Sequence, residues 1–109
     1  MNSRSKGFLA EKRAIEFLEN RGFKIIDKNF YTKLGEIDII AAKNNTLHFI
    51  EVKSGKNFEP IFNITPSKLQ KIIKTAYIYL KKNKIDMPFC IDAVIIKDKN
   101  IDFIENITF

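Results

Sequence analysis

The spacing of apolar residues divides the chain into two predicted helices and five predicted strands. From residue 5 to 21, and again from 65 to about 82, apolar residues recur every three to four positions, which is typical of helices with one buried face. The remaining apolar residues form short runs or alternate with polar ones, which favours strands. The predicted order is α-β-β-β-α-β-β, with elements at residues 5–21, 23–30, 36–42, 47–53, 65–82, 89–96 and 101–105. We expect residues 54–64 to be a loop and residues 1–109 to form a single domain.

One residue of the first helix does not fit its pattern. Ala14 and Leu18 belong to the apolar arc, and Glu11 lies near the middle of that arc. A carboxylate packed there would be costly if it stayed ionised and unpaired. We therefore expect Glu11 to reach a functional site; the alternatives are a salt bridge with Lys28 or Arg21, or a different phase of the helix.

Acidic residues also alternate with apolar ones in the second and third strands. In the second strand, strict alternation places Asp38 on one face and Ile37 and Ile39 together on the other. In the third strand, Glu51 and Lys53 share a face. If the two strands form a hairpin, Asp38 can lie opposite Glu51, on the side of the sheet that carries Lys53.

This arrangement suits a divalent cation. Two carboxylates about 4 to 6 Å apart repel each other unless a cation lies between them, and their hard oxygen atoms suit Mg²⁺ or Mn²⁺. Such an ion can activate water against a phosphodiester. Asp38, Glu51 and the backbone carbonyl of Val52 are the candidate metal ligands, while Lys53 can offset negative charge and Glu11 can complete the site. The alternative is an ordinary solvent-facing strand with Glu51 and Lys53 as a surface pair.

The charge of the chain favours a polyanionic partner. Nineteen Lys and Arg residues against thirteen Asp and Glu residues leave a net charge of +6. Lysine contributes charge to phosphate contacts without base specificity. The candidate nucleic-acid-binding residues are Lys28, Lys33, Lys68, Lys71 and Lys74. For the lysines of the second helix, the alternative is a solvated helix face, and for Lys28 and Lys33 it is an ordinary turn.

The cysteine and histidine counts exclude several classes of site. A single cysteine excludes an internal disulfide framework and a cysteine zinc cluster, and a single histidine excludes His-rich metal sites and argues against a Ser-His-Asp triad. We expect His48 to face away from the carboxylates and Cys90 to be a small buried apolar residue. Asp92 is either a neighbour of the site or an exposed strand position. We expect neither a secretory signal nor a membrane span, and hence a cytoplasmic protein.

Several motifs together resemble the YraN family of bacterial proteins, over residues 7–96. Each motif alone is weak, but their combination and order are specific. The motifs are Gly7-x-x-x-Glu11-x-x-Ala14-x-x-x-Leu18, Gly35-Glu36-Ile37-Asp38-Ile39-Ile40, Phe49-Ile50-Glu51-Val52-Lys53, and Ser67-Lys68 with Ala76.

The resemblance implies a PD-(D/E)xK nuclease-like fold, similar to archaeal Holliday junction resolvases. That fold is α/β, with a restriction-endonuclease-like αβββαβ core and a mixed central sheet flanked by helices. The resemblance also implies metal-dependent phosphodiester chemistry. By position, Asp38 and Glu51 match the metal carboxylates, Lys53 the catalytic lysine and Glu11 the helix glutamate. Lys68 matches a family lysine without an assigned role.

Three hypotheses follow from these observations. The first is a Mg²⁺- or Mn²⁺-dependent nuclease acting on DNA, with branched or Holliday-junction-like DNA as a candidate substrate. A homodimer is compatible with it, because a junction needs two cuts. The second is a non-catalytic nucleic-acid-binding module on the same fold. The third is an interaction adaptor whose charge only confers solubility.

Overall fold

The computed structural model describes residues 3–55 and 64–108, with the side chains of the first helix described from Leu9 onwards. Its elements are α1 (Ser3–Asn20), β1 (Lys24–Tyr31), β2 (Glu36–Lys43), β3 (Thr46–Ser54), α2 (Pro66–Lys82), β4 (Phe89–Lys97) and β5 (Asn100–Ile104). The predicted order is confirmed, with every boundary within two residues of its predicted position. Most of the predicted loop, residues 56–63, lies outside the described residues.

The five strands form one mixed sheet in the order β1-β2-β3-β4-β5. β3 and β4 are parallel, and the other neighbouring pairs are antiparallel. α2 lies in the connection between the parallel strands, which such a pair requires. The predicted α/β fold with a mixed central sheet flanked by helices is confirmed, and it is compatible with an αβββαβ nuclease-like core.

Each helix covers one face of the sheet. The cluster on the α1 side includes Ala14 and Leu18 together with Ile39 and Ile50. The cluster on the α2 side is separate, and its buried members are Ile37, Ile40, Leu47, Phe49, Ile72, Ala76, Tyr79, Leu80 and Ile91. Because the central strands are covered on both faces, residues 91–96 of β4 are buried without interruption.

The alternation of β2 breaks at Asp38. Ile37 packs on the α2 side and Ile39 on the α1 side, so the prediction that these two residues share a face is wrong. On the neighbouring strand β1, Asn29 lies between the residues that pair with Ile37 and Ile39. It has a left-handed φ of 54°, a conformation that asparagine tolerates better than most residues. The pairing of β2 with β3 also ends here, at Ile39 and Ile50, although both strands continue. The sheet is therefore distorted locally where β2 carries its acidic residues.

Both helices have well-defined ends. Gly22, with a φ of +91°, terminates α1, and the N–H of Phe23 donates to the carbonyl of Leu18 at 3.0 Å. Thr65 caps α2, as the sequence predicts, and its hydroxyl accepts a hydrogen bond from the N–H of Lys68 at 3.1 Å. This cap fixes the first turn of α2 beside the site described next. In the described part of the chain, neither helix is long and apolar enough to cross a bilayer.

Candidate functional site

Three carboxylates from two elements converge at the distorted part of β2. One oxygen each of Glu11 from α1 and of Glu36 and Asp38 from β2 lie within 4.8 Å of one another. They line a cavity of about 280 Å³, to which β3 and the first turn of α2 also contribute. Its lining residues are Ala10, Glu11, Glu36, Asp38, Glu51, Val52, Lys53, Ser54 and Lys68. The structure thus brings all four predicted catalytic residues to one cavity.

The Asp38 carboxylate is held by the backbone of β3. The N–H of Val52 donates to Asp38 Oδ2 at 2.8 Å. The regular pairing of β2 with β3 ends at Ile39 and Ile50. The N–H of Val52 therefore bonds a side-chain oxygen of β2 instead of a backbone carbonyl. The strand separation therefore positions Asp38 at the cavity. The Val52 carbonyl stays a predicted ligand.

Glu51 is buried without a full set of partners. Glu51 is only 4% exposed, and its Oε1 has no hydrogen-bond partner among the described residues. Burial, and then the charge of Asp38, raise the pKa of Glu51 to about 8. An unsatisfied buried acceptor is uncommon and calls for an explanation such as an ion. The site therefore fits a cation that would accept the free lone pairs of Glu51.

The pKa values of the other three carboxylates are raised as well. Burial is the largest cause that raises the pKa of Glu11, Glu36 and Asp38, and the charge of Asp38 is the next cause for both glutamates. The Val52 N–H opposes the rise at Asp38. A donor set made of carboxylate oxygens is the one that Mg²⁺ and Mn²⁺ prefer. The residues present thus fit the predicted metal.

Two lysines lie at the same cavity. Burial is the largest cause that lowers the pKa of Lys53, Lys68 lowers it further, and Glu51 and Asp38 oppose this change. Lys68 comes from the first turn of α2, which the Thr65 cap holds in place. Lys68 is predicted to belong with the nucleic-acid-binding lysines, whereas the structure brings it to the carboxylates.

Glu36 is a site residue that the sequence analysis missed. It lies in the acidic motif, two residues before Asp38, but alternation did not distinguish it from an ordinary exposed position. Glu11, by contrast, is brought to the cavity as predicted. Neither Lys28 nor Arg21 forms a salt bridge with Glu11 in the described part of the chain, although a hydrogen bond with Asn29 and then the charge of Lys28 oppose the rise in the pKa of Glu11.

The remaining candidate lysines do not line the carboxylate cavity. Lys28 is exposed and lines a neighbouring cavity of about 380 Å³ that Glu11 also lines. Lys71 is exposed beside Lys68, at a cavity of about 420 Å³ between α2 and the β1–β2 turn. Lys33 and Lys74 are exposed. Their contacts with nucleic acid stay predictions.

A second group of polar side chains lies elsewhere on β3 and β4. His48 is not part of the carboxylate cavity, and its Nδ1 contacts Asp92 Oδ2 at 2.5 Å. Asp92 is fully buried, so the alternative that made it an exposed strand position is wrong. Cys90 is half-buried and contacts both residues instead of packing only as an apolar side chain. Burial, and then Asp92, raise the pKa of its thiol to about 12.

Comparisons with known proteins identify the family. Residues 10–96, which include the predicted catalytic residues, match the model of "Uncharacterised protein family UPF0102". The chain is 60% identical to a UPF0102 protein of Wolinella succinogenes over 106 residues, which are 97% of this chain and 98% of that protein. It is 56% identical to a UPF0102 protein of Helicobacter hepaticus over 108 residues, 99% of this chain and 98% of the relative. A UPF0102 protein of Helicobacter pylori is also 56% identical, over 97% of this chain and 93% of its own length. The chain therefore belongs to family UPF0102, the YraN family that its motifs resemble.

Proposed function

We propose that this protein is a Mg²⁺- or Mn²⁺-dependent nuclease that hydrolyses phosphodiester bonds in DNA. The observation that carries the proposal is the buried, unpartnered Oε1 of Glu51 in a cavity that it shares with Asp38 and two further carboxylates. A fold maintained only for stability gains nothing from an unsatisfied buried carboxylate. A module that only binds a polyanion gains nothing from a cluster of acidic side chains.

The donor set defines where the ion would bind. Asp38 and Glu51 would hold it, with the Val52 carbonyl as a further candidate ligand. Glu11 and Glu36 lie close enough to Asp38 to bind the ion or its water. When bound, the ion polarises the phosphodiester and lowers the pKa of coordinated water.

The chain's own residues supply positioning and charge. The Val52 N–H keeps the Asp38 carboxylate in place, so this ligand needs no reorganisation when substrate arrives. Lys53 and Lys68, which lie next to each other at the cavity, offset the negative charge that builds up on the phosphate. Glu11 orients water at the α1 side of the cavity.

The surface around the cavity supports a nucleic-acid substrate. Lys28 and Lys71 flank the site, and the net charge of +6 favours association with a polyanion. Lys33 and Lys74 extend the set of phosphate contacts. We include branched DNA among the substrates, and a homodimer in which each copy makes one cut.

Cleavage of a panel of labelled DNA substrates tests this function. Linear, flapped, gapped and four-way DNA are incubated with the protein and Mg²⁺ or Mn²⁺. We expect Glu51→Gln to lower the cleavage rate at least about 100-fold, because it removes a charge that holds the ion. Glu19→Gln, at an exposed position near the end of α1, serves as the matched control and keeps the wild-type rate.

Two outcomes contradict the proposal. Equal cleavage by wild type and Glu51→Gln indicates a contaminating nuclease. Salt-dependent binding of DNA without cleavage under any metal condition favours the non-catalytic nucleic-acid-binding module.

A further inference from the structure

The second polar cluster contains a set of metal-ligating atoms. One ligand atom each of His48, Cys90 and Glu105 lie within 4.8 Å of one another. His48 is on β3 and pairs with Cys90 on the parallel strand β4, and Glu105 directly follows β5. Three segments that are distant along the chain therefore place sulfur, nitrogen and oxygen donors together.

The orientation of His48 is fixed by a carboxylate that is itself fully satisfied. Asp92 Oδ2 contacts His48 Nδ1, and Asp92 Oδ1 accepts a hydrogen bond from the N–H of Asn106 at 2.8 Å. In the described part of the chain, the hydrogen-bonding contacts of His48, including that with Cys90 Sγ at 3.1 Å, are made by Nδ1. Nε2 is thus left for another partner. A histidine that binds a metal through one nitrogen commonly donates the other N–H to a carboxylate in this way.

Two of the three residues of the cluster line a cavity outside the carboxylate site. His48 and Glu105 line a cavity of about 300 Å³ that shares no lining residue with the carboxylate cavity. His48 is only 5% exposed. Its ring makes an edge-to-face contact with the ring of Phe23, and the two ring centroids are 4.9 Å apart. The histidine is therefore rigid at the wall of a space that a small ion can enter.

We propose that His48, Cys90 and Glu105 form a second metal site, selective for a thiophilic divalent transition-metal ion such as Zn²⁺, with Asp92 as the residue that orients His48. Thiolate and imidazole are ligands that Zn²⁺ prefers, whereas a site made only of carboxylates suits Mg²⁺. Three protein ligands leave the fourth tetrahedral position for water. On binding, the metal–sulfur bond replaces the S–H bond of Cys90, and the proton passes to solvent.

Titration of the full-length protein with Co²⁺, a spectroscopic substitute for Zn²⁺, tests the site. The experiment uses a reducing agent that carries no thiol. We expect a thiolate-to-cobalt charge-transfer band that saturates at one equivalent and disappears when Zn²⁺ is added, but not when Mg²⁺ is added. Cys90→Ala removes the band. Glu51→Gln, which alters only the carboxylate cavity, keeps it.

A second variant decides the question if Cys90→Ala does not fold. Glu105 is exposed, so Glu105→Gln preserves the core, and we expect it to weaken Co²⁺ binding at least about tenfold. The proposal is overturned if wild type gives no band, if Cys90→Ala folds and keeps the band, or if Glu105→Gln binds Co²⁺ as tightly as wild type. The band reports only on the cysteine site, so it is independent of whether the protein cleaves DNA.

Discussion

Glu51 and Asp92 are two buried carboxylates on the central strands, and they differ in what surrounds them. Asp92 is fully buried, and both of its oxygens have partners, His48 and the N–H of Asn106. Glu51 is 4% exposed, one of its oxygens has no partner in the described part of the chain, and the charge of Asp38 raises its pKa. Burial is the same in the two cases, but only one side chain has its hydrogen-bonding capacity filled.

The difference separates two uses of a buried charge. A satisfied carboxylate holds a neighbouring group in place and contributes to the folded structure. An unsatisfied one costs stability in the free protein and is retained where a ligand can complete its coordination. On this basis Asp92 positions a histidine, while Glu51 keeps an oxygen that the proposed ion would bind.

The largest expected effect is on folding stability when each carboxylate is replaced by its amide. Asp92→Asn should lower the free energy of unfolding by about 1.5–3 kcal/mol, because the hydrogen bonds to His48 and to the backbone are disrupted. Glu51→Gln should leave it unchanged or raise it, because the folded state no longer has to take up a proton to bury this side chain. Urea unfolding in the presence of a chelator measures both values. Equal losses in the two variants would remove the distinction.

The second effect is on the pH dependence of stability without metal. The pKa of Glu51 is about 8 in the folded protein, above the ordinary value of 4.5, so the folded state binds the extra proton between these values. The contribution of Glu51 to the free energy of unfolding is therefore greatest below about pH 4.5. It falls by up to about 1.4 kcal/mol per pH unit as the pH rises towards 8. Glu51→Gln should flatten the slope between pH 6 and 8 in urea unfolding. An unchanged slope in the variant would contradict the assignment.

The third effect is stabilisation by Mg²⁺, which should depend on the carboxylate cavity and not on Asp92. Free Mg²⁺ at ten times its Kd should raise the free energy of unfolding by about 1.4 kcal/mol, because it binds the folded state alone. Asp38→Asn should abolish this gain, whereas Asp92→Asn should keep it. Thermal unfolding with and without Mg²⁺ measures the gain, and an equal gain in wild type and Asp38→Asn would rule out the carboxylate site.

The smallest effect concerns charges that are exposed rather than buried. Lys71→Ala and Lys74→Ala should each reduce the slope of log affinity for DNA against log salt by about one, because each removes one phosphate contact. The weakening should be similar for all DNA sequences. Lys99→Ala, in the turn between β4 and β5, is the control with an unchanged slope. If the helix variants also keep the wild-type slope, these lysines form only a solvated face.

The amino-acid sequence was sufficient to predict the elements and one unusual residue. Helices and strands follow from the local periodicity of burial, and Thr65 caps α2 through a hydrogen bond to a residue three positions away. Glu11 was predictable as part of the site because a carboxylate within an apolar helix face violates that same local pattern. Its contact with β2 shows that the exception was informative.

Tertiary structure alone decided the remaining features. The break in alternation at Asp38 depends on where β2 and β3 stop pairing, so Ile37 and Ile39 pack on opposite faces despite their spacing. The partnership of His48 with Asp92 joins residues 44 positions apart. Period and capping are determined by neighbours along the chain, whereas strand separation and long-range contacts depend on how the whole sheet and both helices pack together. For that reason the sequence provided candidate side chains, and the fold determined which of them meet and which stay without a partner in the described part of the chain.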